Sequence, residues 1–285
     1  MNQQKMKLPT SRIQGMYRQW ALICFILSTI AASLAFTLAY NPQTGYISNT
    51  AIDILLAALV FFELIISATI SYSAPMYINE ENRTALSRVT TLILHIAVIF
   101  CGVMAAAGCN NAIFSIDAIK GVSGSAFLPS YILRGALAAS TVAIFLSSPS
   151  LRKTTDNYTV ASQINSYSTI FFCIFGIAIL YFNMTVEMNN PQKLYLQFSL
   201  ASICLSELYK MKAKIQEKGG NCLSSLFKLS TIFIAPIAAI STFIALAEKG
   251  KNFPAAYLYF AIAVAVYAIA YLIEIIFSAK SDDKE

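Results

Sequence analysis

Eight apolar stretches, spread along the whole chain and separated only by short polar segments, restrict this sequence to a helical fold inside a membrane. They lie at about Trp20–Tyr40, Ala51–Tyr72, Thr90–Gly108, Phe127–Ser148, Tyr167–Glu187, Leu194–Tyr209, Leu226–Ala247 and Pro254–Ala279. A bilayer core of about 30 Å is crossed by ~20 apolar helical residues. One such stretch could be a buried helix of a soluble domain. Eight in succession, with no soluble-sized segment between them, could not. Charged residues make up only 12% of the chain, about half the usual share of a soluble domain, and they are bunched between the stretches. The expected fold is therefore all-α, a polytopic integral membrane helical bundle with eight transmembrane helices. The sixth stretch is about one turn short of the usual length.

The first stretch reads as a retained span. It is too long for the apolar region of a signal peptide, and no small-residue cleavage site follows it. Trp20 and Tyr40 suit the two membrane–water interfaces.

Lysine and arginine set the orientation. With a cytoplasmic N-terminus and eight spans, fifteen of the 20 basic residues fall inside, among them Arg12, Arg83, Arg152, Lys214, Lys228 and Lys280. Four fall outside, namely Lys120, Lys193, Lys249 and Lys251, and Arg134 lies within a span. This is the positive-inside bias, with both termini cytoplasmic in a multi-pass protein of the cell membrane. It also accounts for the net charge of +6, so nucleic acid is not an expected partner. The organisation that follows is a tail at 1–19, a first four-helix half at 20–148, a connector at 149–166, a second half at 167–279 and a tail at 280–285.

The halves carry an echo. Asn41–Tyr46 reads NPQTGY after the first span, and Asn190–Tyr195 reads NPQKLY after the fifth. LPSYIL opens the fourth span and FPAAYL the eighth, each with a proline (Pro129, Pro254) suited to a helix first turn. Either these are turn chemistry recurring by chance, or the chain is a 4+4 parallel tandem repeat about an axis along the membrane normal.

Ionisable side chains within spans are costly and usually face a bundle interior or a watery cavity. The candidate intramembrane polar site comprises Glu63 near the midplane, His95 inward of it, Arg134 in the outer third and Asp53 near the outer face. By depth, Asp53 pairs with Arg134 and Glu63 with His95 or Arg134. Glu207 and Glu274 sit near span ends and read as interfacial. Gly102 in the third span and Gly135 in the fourth offer close helix approach, and Pro236 interrupts the seventh.

Known chemistries are excluded one by one. A single histidine forbids HExxH and multi-histidine metal sites, and the six cysteines include no CxxC pair. Walker A and G-x-S-x-G are absent. The pair Glu80–Glu81 lies in a charged connector, and Gly121–Ser125 forms a loop with no neighbouring base in sequence. The expectation is no catalytic residue, no metal and no cofactor. The function expected is that of a transporter or permease-like protein, working on a small solute or lipid ligand within the lipid bilayer. The alternative is a non-catalytic subunit, sensor or assembly factor acting through a protein partner or as a homo-oligomer. An intramembrane enzyme ranks last.

Overall fold

A computed structural model describes residues 10–41, 45–73, 96, 102, 128–147, 160–182, 190–215, 222–249 and 255–277. Among the described residues there are seven helices. They are α1 (Thr10–Ala39), α2 (Thr50–Ser73), α3 (Leu128–Ser147), α4 (Val160–Phe182), α5 (Pro191–Ile215), α6 (Cys222–Lys249) and α7 (Ala255–Phe277). Five of them, α1, α2, α4, α6 and α7, are long and apolar enough to cross a bilayer, and α3 has a shorter apolar segment at Ile132–Ile144. The protein is a multi-pass helical membrane protein. The expected third span lies outside the described residues apart from Ile96 and Gly102, and so do His95, the Glu80–Glu81 connector and the Gly121–Ser125 loop.

Helices suit these segments because lipid offers no partner to a backbone N–H or C=O. The hydroxyls inside them turn back on their own helix. Thr29 donates to the Phe25 carbonyl at 2.6 Å, Thr231 to Phe227 at 2.9 Å and Thr242 to Ala238 at 2.7 Å. Each is the local bond that lets serine and threonine sit mid-helix without an orphaned donor.

α6 is the hub, packed against α1, α2, α5 and α7, while α4 lies between α3 and α5. The main core joins Phe172, Leu200, Ile232 and Phe260 across α4 to α7. A smaller apolar cluster, Ala32, Phe36, Leu56 and Ile237, joins α1, α2 and α6. α2 is the least covered helix, and its Leu55, Phe61, Phe62 and Ile65 face outward as lipid-facing residues should.

Several expected boundaries need correcting. The sixth stretch forms α5, which starts at Pro191 and runs 25 residues, about 37 Å of helix, but it is not one of the five helices apolar enough to cross a bilayer. Its lower apolar character goes with Gln192, Ser199, Ser206 and Glu207, all four of which are buried against neighbouring helices. A helix sheltered from lipid does not need an apolar surface all round. The connector expected at 149–166 is also shorter, since α4 begins at Val160. Its Asn165 donates to Ser147 Oγ at 3.1 Å and so ties the start of α4 to the end of α3.

The two Asn-Pro-Gln copies differ locally. Asn190 caps α5: its side-chain oxygen accepts from the Gln192 N–H at 3.1 Å, with Pro191 at the first helical position. Asn41 instead closes a turn after α1, its N–H donating to the Tyr46 carbonyl at 2.8 Å, with Gly45 at φ 80°. That left-handed conformation is why a glycine stands there. The two segments nevertheless meet, because Asn190 Nδ2 lies 3.5 Å from the Gly45 carbonyl.

Candidate functional site

Glu63 is fully buried, at 0% exposure. It lies about 20 Å along α2 from the helix start, on the face turned to α1. Trp20, Cys24 and Ser28 recur every fourth residue on α1, and Glu63, Ser67 and Ser71 do so on α2. Such spacing keeps each set on one side of its helix. The helices run antiparallel, so the two sets form one polar seam. Trp20 Nε1 donates to Ser67 Oγ at 2.9 Å, and Ser28 Oγ donates to Glu63 Oε2 at 2.8 Å. The Cys24 thiol lies beside both Glu63 and Ser67. Among the described residues, Glu63 Oε1 and Ser71 Oγ are buried with no hydrogen-bond partner.

The other expected site residues are not drawn to Glu63 by these contacts. Arg134 is half-buried on α3, which packs against α4, and the hydrogen bond to Glu63 comes from Ser28. Asp53 is exposed in the first turn of α2, where a carboxylate complements the helix dipole. Among the described residues, Asp53 and Arg134 form no ion pair. His95 lies outside the described residues. A β-carbon at Gly135 would meet nothing within 4 Å among the described residues. A β-carbon at Gly102 would collide with Thr141 and crowd Phe172.

A second polar cluster was missed by sequence reasoning. It lies at the end of the bundle where α1, α4 and α6 begin and α5 and α7 finish. Lys228, 1% exposed, donates to Glu274 at 3.0 Å and stands 5.5 Å from the centre of the Tyr271 ring. Such a cation over an aromatic face is attracted by its quadrupole. Glu207 accepts from Ser166 at 3.2 Å and from Tyr271 at 3.3 Å, with the Lys210 ammonium at 3.5 Å. Tyr267 donates to Thr169 at 3.4 Å, and Tyr17 of α1 donates to the Ser225 carbonyl at 2.8 Å. Glu207 and Glu274, near their helix ends, are 7% and 8% exposed and tie four helices together. A signal was present in the sequence, because Tyr267, Tyr271 and Glu274 fall on one face of the last helix, where a lipid-facing side should be apolar.

The opposite end has its own buried polar group. Lys193, 2% exposed, donates to the Tyr181 carbonyl at 3.3 Å and so closes the C-terminus of α4. Beside it, both polar atoms of the Gln192 side chain are buried without a hydrogen bond. Between α1 and α2 a shallow apolar groove of about 180 Å³ is lined by Ala31, Leu34, Leu38, Ile52 and Leu55.

No family model, curated protein or solved structure matches the chain. The described residues include no group of three or more His, Cys, Asp and Glu able to hold a metal ion. The Lys228–Glu207–Glu274 cluster is a balanced set of charges and hydroxyls that satisfy one another. The Glu63 seam is different, for its carboxyl keeps one oxygen unused.

Proposed function

We propose that the chain is a permease-like protein that moves a small solute or lipid across the cell membrane. The observation that carries this reading is the burial of Glu63 within the α1–α2 seam with one carboxyl oxygen unpaired. A buried ionisable group in a span is expensive to keep, and such groups line substrate, ion and proton paths in membrane proteins. The reading is non-enzymatic and calls for no cofactor. Its test is uptake into proteoliposomes of a panel of charged, neutral and lipid-like solutes, with and without a pH gradient. Glu63→Gln should abolish the pH dependence of uptake and leave the protein folded in detergent. No uptake above empty liposomes for any class, or an unchanged pH profile in the variant, removes the reading.

The topology that goes with it has eight spans, both termini cytoplasmic and a division into two sets of four. The charge bias supports it, and so does the meeting of the two Asn-Pro-Gln segments at one end. Their unlike local structures do not support a duplication. Cysteine labelling should find positions 44, 123, 189 and 249 reactive from outside and position 214 only from inside. Outside labelling at 214 would reduce the span count.

A second reading rests on the Lys228–Glu207–Glu274 cluster, whose mutual satisfaction suits a rigid, non-catalytic subunit better than a moving gate. On that reading, mild purification recovers a stoichiometric protein partner or a homo-oligomer, and Glu63→Gln is silent.

A further inference from the structure

The seam at Glu63 has a composition that selects its ligand. A metal cation takes several oxygens converging on one point, six to eight for the larger divalent ions. Here the oxygens are strung along the helices instead. Ser71 stands two turns beyond Glu63 on α2, about 12 Å along the axis, and Ser67 Oγ already accepts from Trp20. What converges at Glu63 is one hydroxyl, from Ser28, on one oxygen. Among the described residues Oε1 has neither donor nor acceptor, although the side chain is excluded from solvent.

Among the described residues, no charged group is paired with Glu63 to hold it ionised. α2 packs against α1 and α6. Residues 19–39 of α1 and 229–247 of α6 contain no lysine, arginine or histidine. On α1 the titratable group facing Glu63 is the Cys24 thiol, with Arg18 lying further toward the helix start. On α6 Lys228 is engaged by Glu274, while Glu248 is placed near Tyr40 at the other end of the bundle. On α2 itself Asp53 is almost three turns away.

We propose that the α1–α2 seam is a proton-binding site, in which Glu63 Oε1 carries the proton and Ser28 holds Oε2. This rests on the permease reading and deepens it by naming the coupling ion. Binding and release are a simple acid–base step: the proton leaves Oε1 for water or for the transported solute, and the carboxylate left behind keeps its bond from Ser28. A hydroxyl donor favours the charged form, so Ser28 sets the pH at which the proton is released.

The test is labelling by dicyclohexylcarbodiimide, which adds whole to a protonated carboxyl in apolar surroundings. Peptide mass spectrometry of the full-length protein in detergent should find the adduct on Glu63. It should fade above a midpoint pH, be absent in Glu63→Gln and be indifferent to sodium and lithium. Glu207 and Glu274, held as ion pairs, should not label. Ser28→Ala should move the midpoint upward by about half a pH unit or more. The proposal is overturned by no Glu63 adduct at any pH, by protection with sodium or lithium, or by an unmoved midpoint in Ser28→Ala. An adduct with the expected midpoints but no solute uptake leaves the proton site standing and removes the permease reading. Uptake without an adduct does the reverse.

Discussion

Lys228→Met should lower stability in detergent by about 3–5 kcal/mol, because it strands the Glu274 carboxylate in the interior. Lys228 is 1% exposed and its ammonium lies 3.0 Å from Glu274, so no solvent takes over when the partner is removed. The penalty has a pH signature. Protonating Glu274 removes the stranded charge, so the gap between variant and parent should narrow as pH falls and widen as it rises. Lys228→Met combined with Glu274→Leu should recover most of the loss, since replacing both partners by apolar residues is often neutral or better. Thermal unfolding across pH measures all three effects. A single variant as stable as the parent at neutral pH would show that the pair does not hold the bundle together.

Gly176→Leu should cost about 3 kcal/mol, at the upper end of overpacking penalties. A β-carbon at this position lies 2.9 Å from the Phe260 ring and 3.1 Å from a Leu200 methyl, both in the main core. The first carbon is nearly compensated. Gly176→Ala gains up to about 1 kcal/mol of helix propensity, so it should stay close to the parent. The further three carbons of leucine have nowhere to go, because α5 and α7 both close over α4 at this level. The contrast between alanine and leucine in thermal unfolding is the informative measurement. Equal stability of the two would place α7 further from α4 than described.

Most of the helical framework is legible in the sequence because lipid imposes a simple rule on it. A helix facing hydrocarbon must be apolar over about twenty residues, and α2 and α7 fall within two residues of their expected limits. Glu63 stands out for the same reason, as an ionisable residue where the rule forbids one. The rule loses its force where a helix faces protein. α5 runs past its apolar stretch by residues 191–193 at one end and 210–215 at the other, and Gln192 and Lys193 there are buried although polar. The start of α4 was taken for a connector because Asn165 and Ser166 are polar, although they bond to Ser147 and Glu207. Lys228 counts as an inside charge by its sign and position in sequence, with nothing there to show that Glu274 holds it. Each miss comes from treating polarity as exposure to water when a neighbouring helix supplied the partner. Partners distant in sequence cannot be read from one chain: Glu207 and Tyr271 are 64 residues apart, and Tyr17 and Ser225 are 208 apart.

The polar seam between α1 and α2 bears on how the protein is made. Chains enter the membrane N-terminus first during synthesis, so this hairpin is present long before α6 emerges to cover it. A carboxyl waiting in lipid for a distant partner would oppose insertion. Here the bonds to Glu63 and Ser67 come from Ser28 and Trp20, so the earliest part of the chain contains its own remedy. The hairpin can enter the bilayer with Glu63 and Ser67 each already holding one bond, and later receive the hub helix along the apolar strip of Ala32, Phe36 and Leu56.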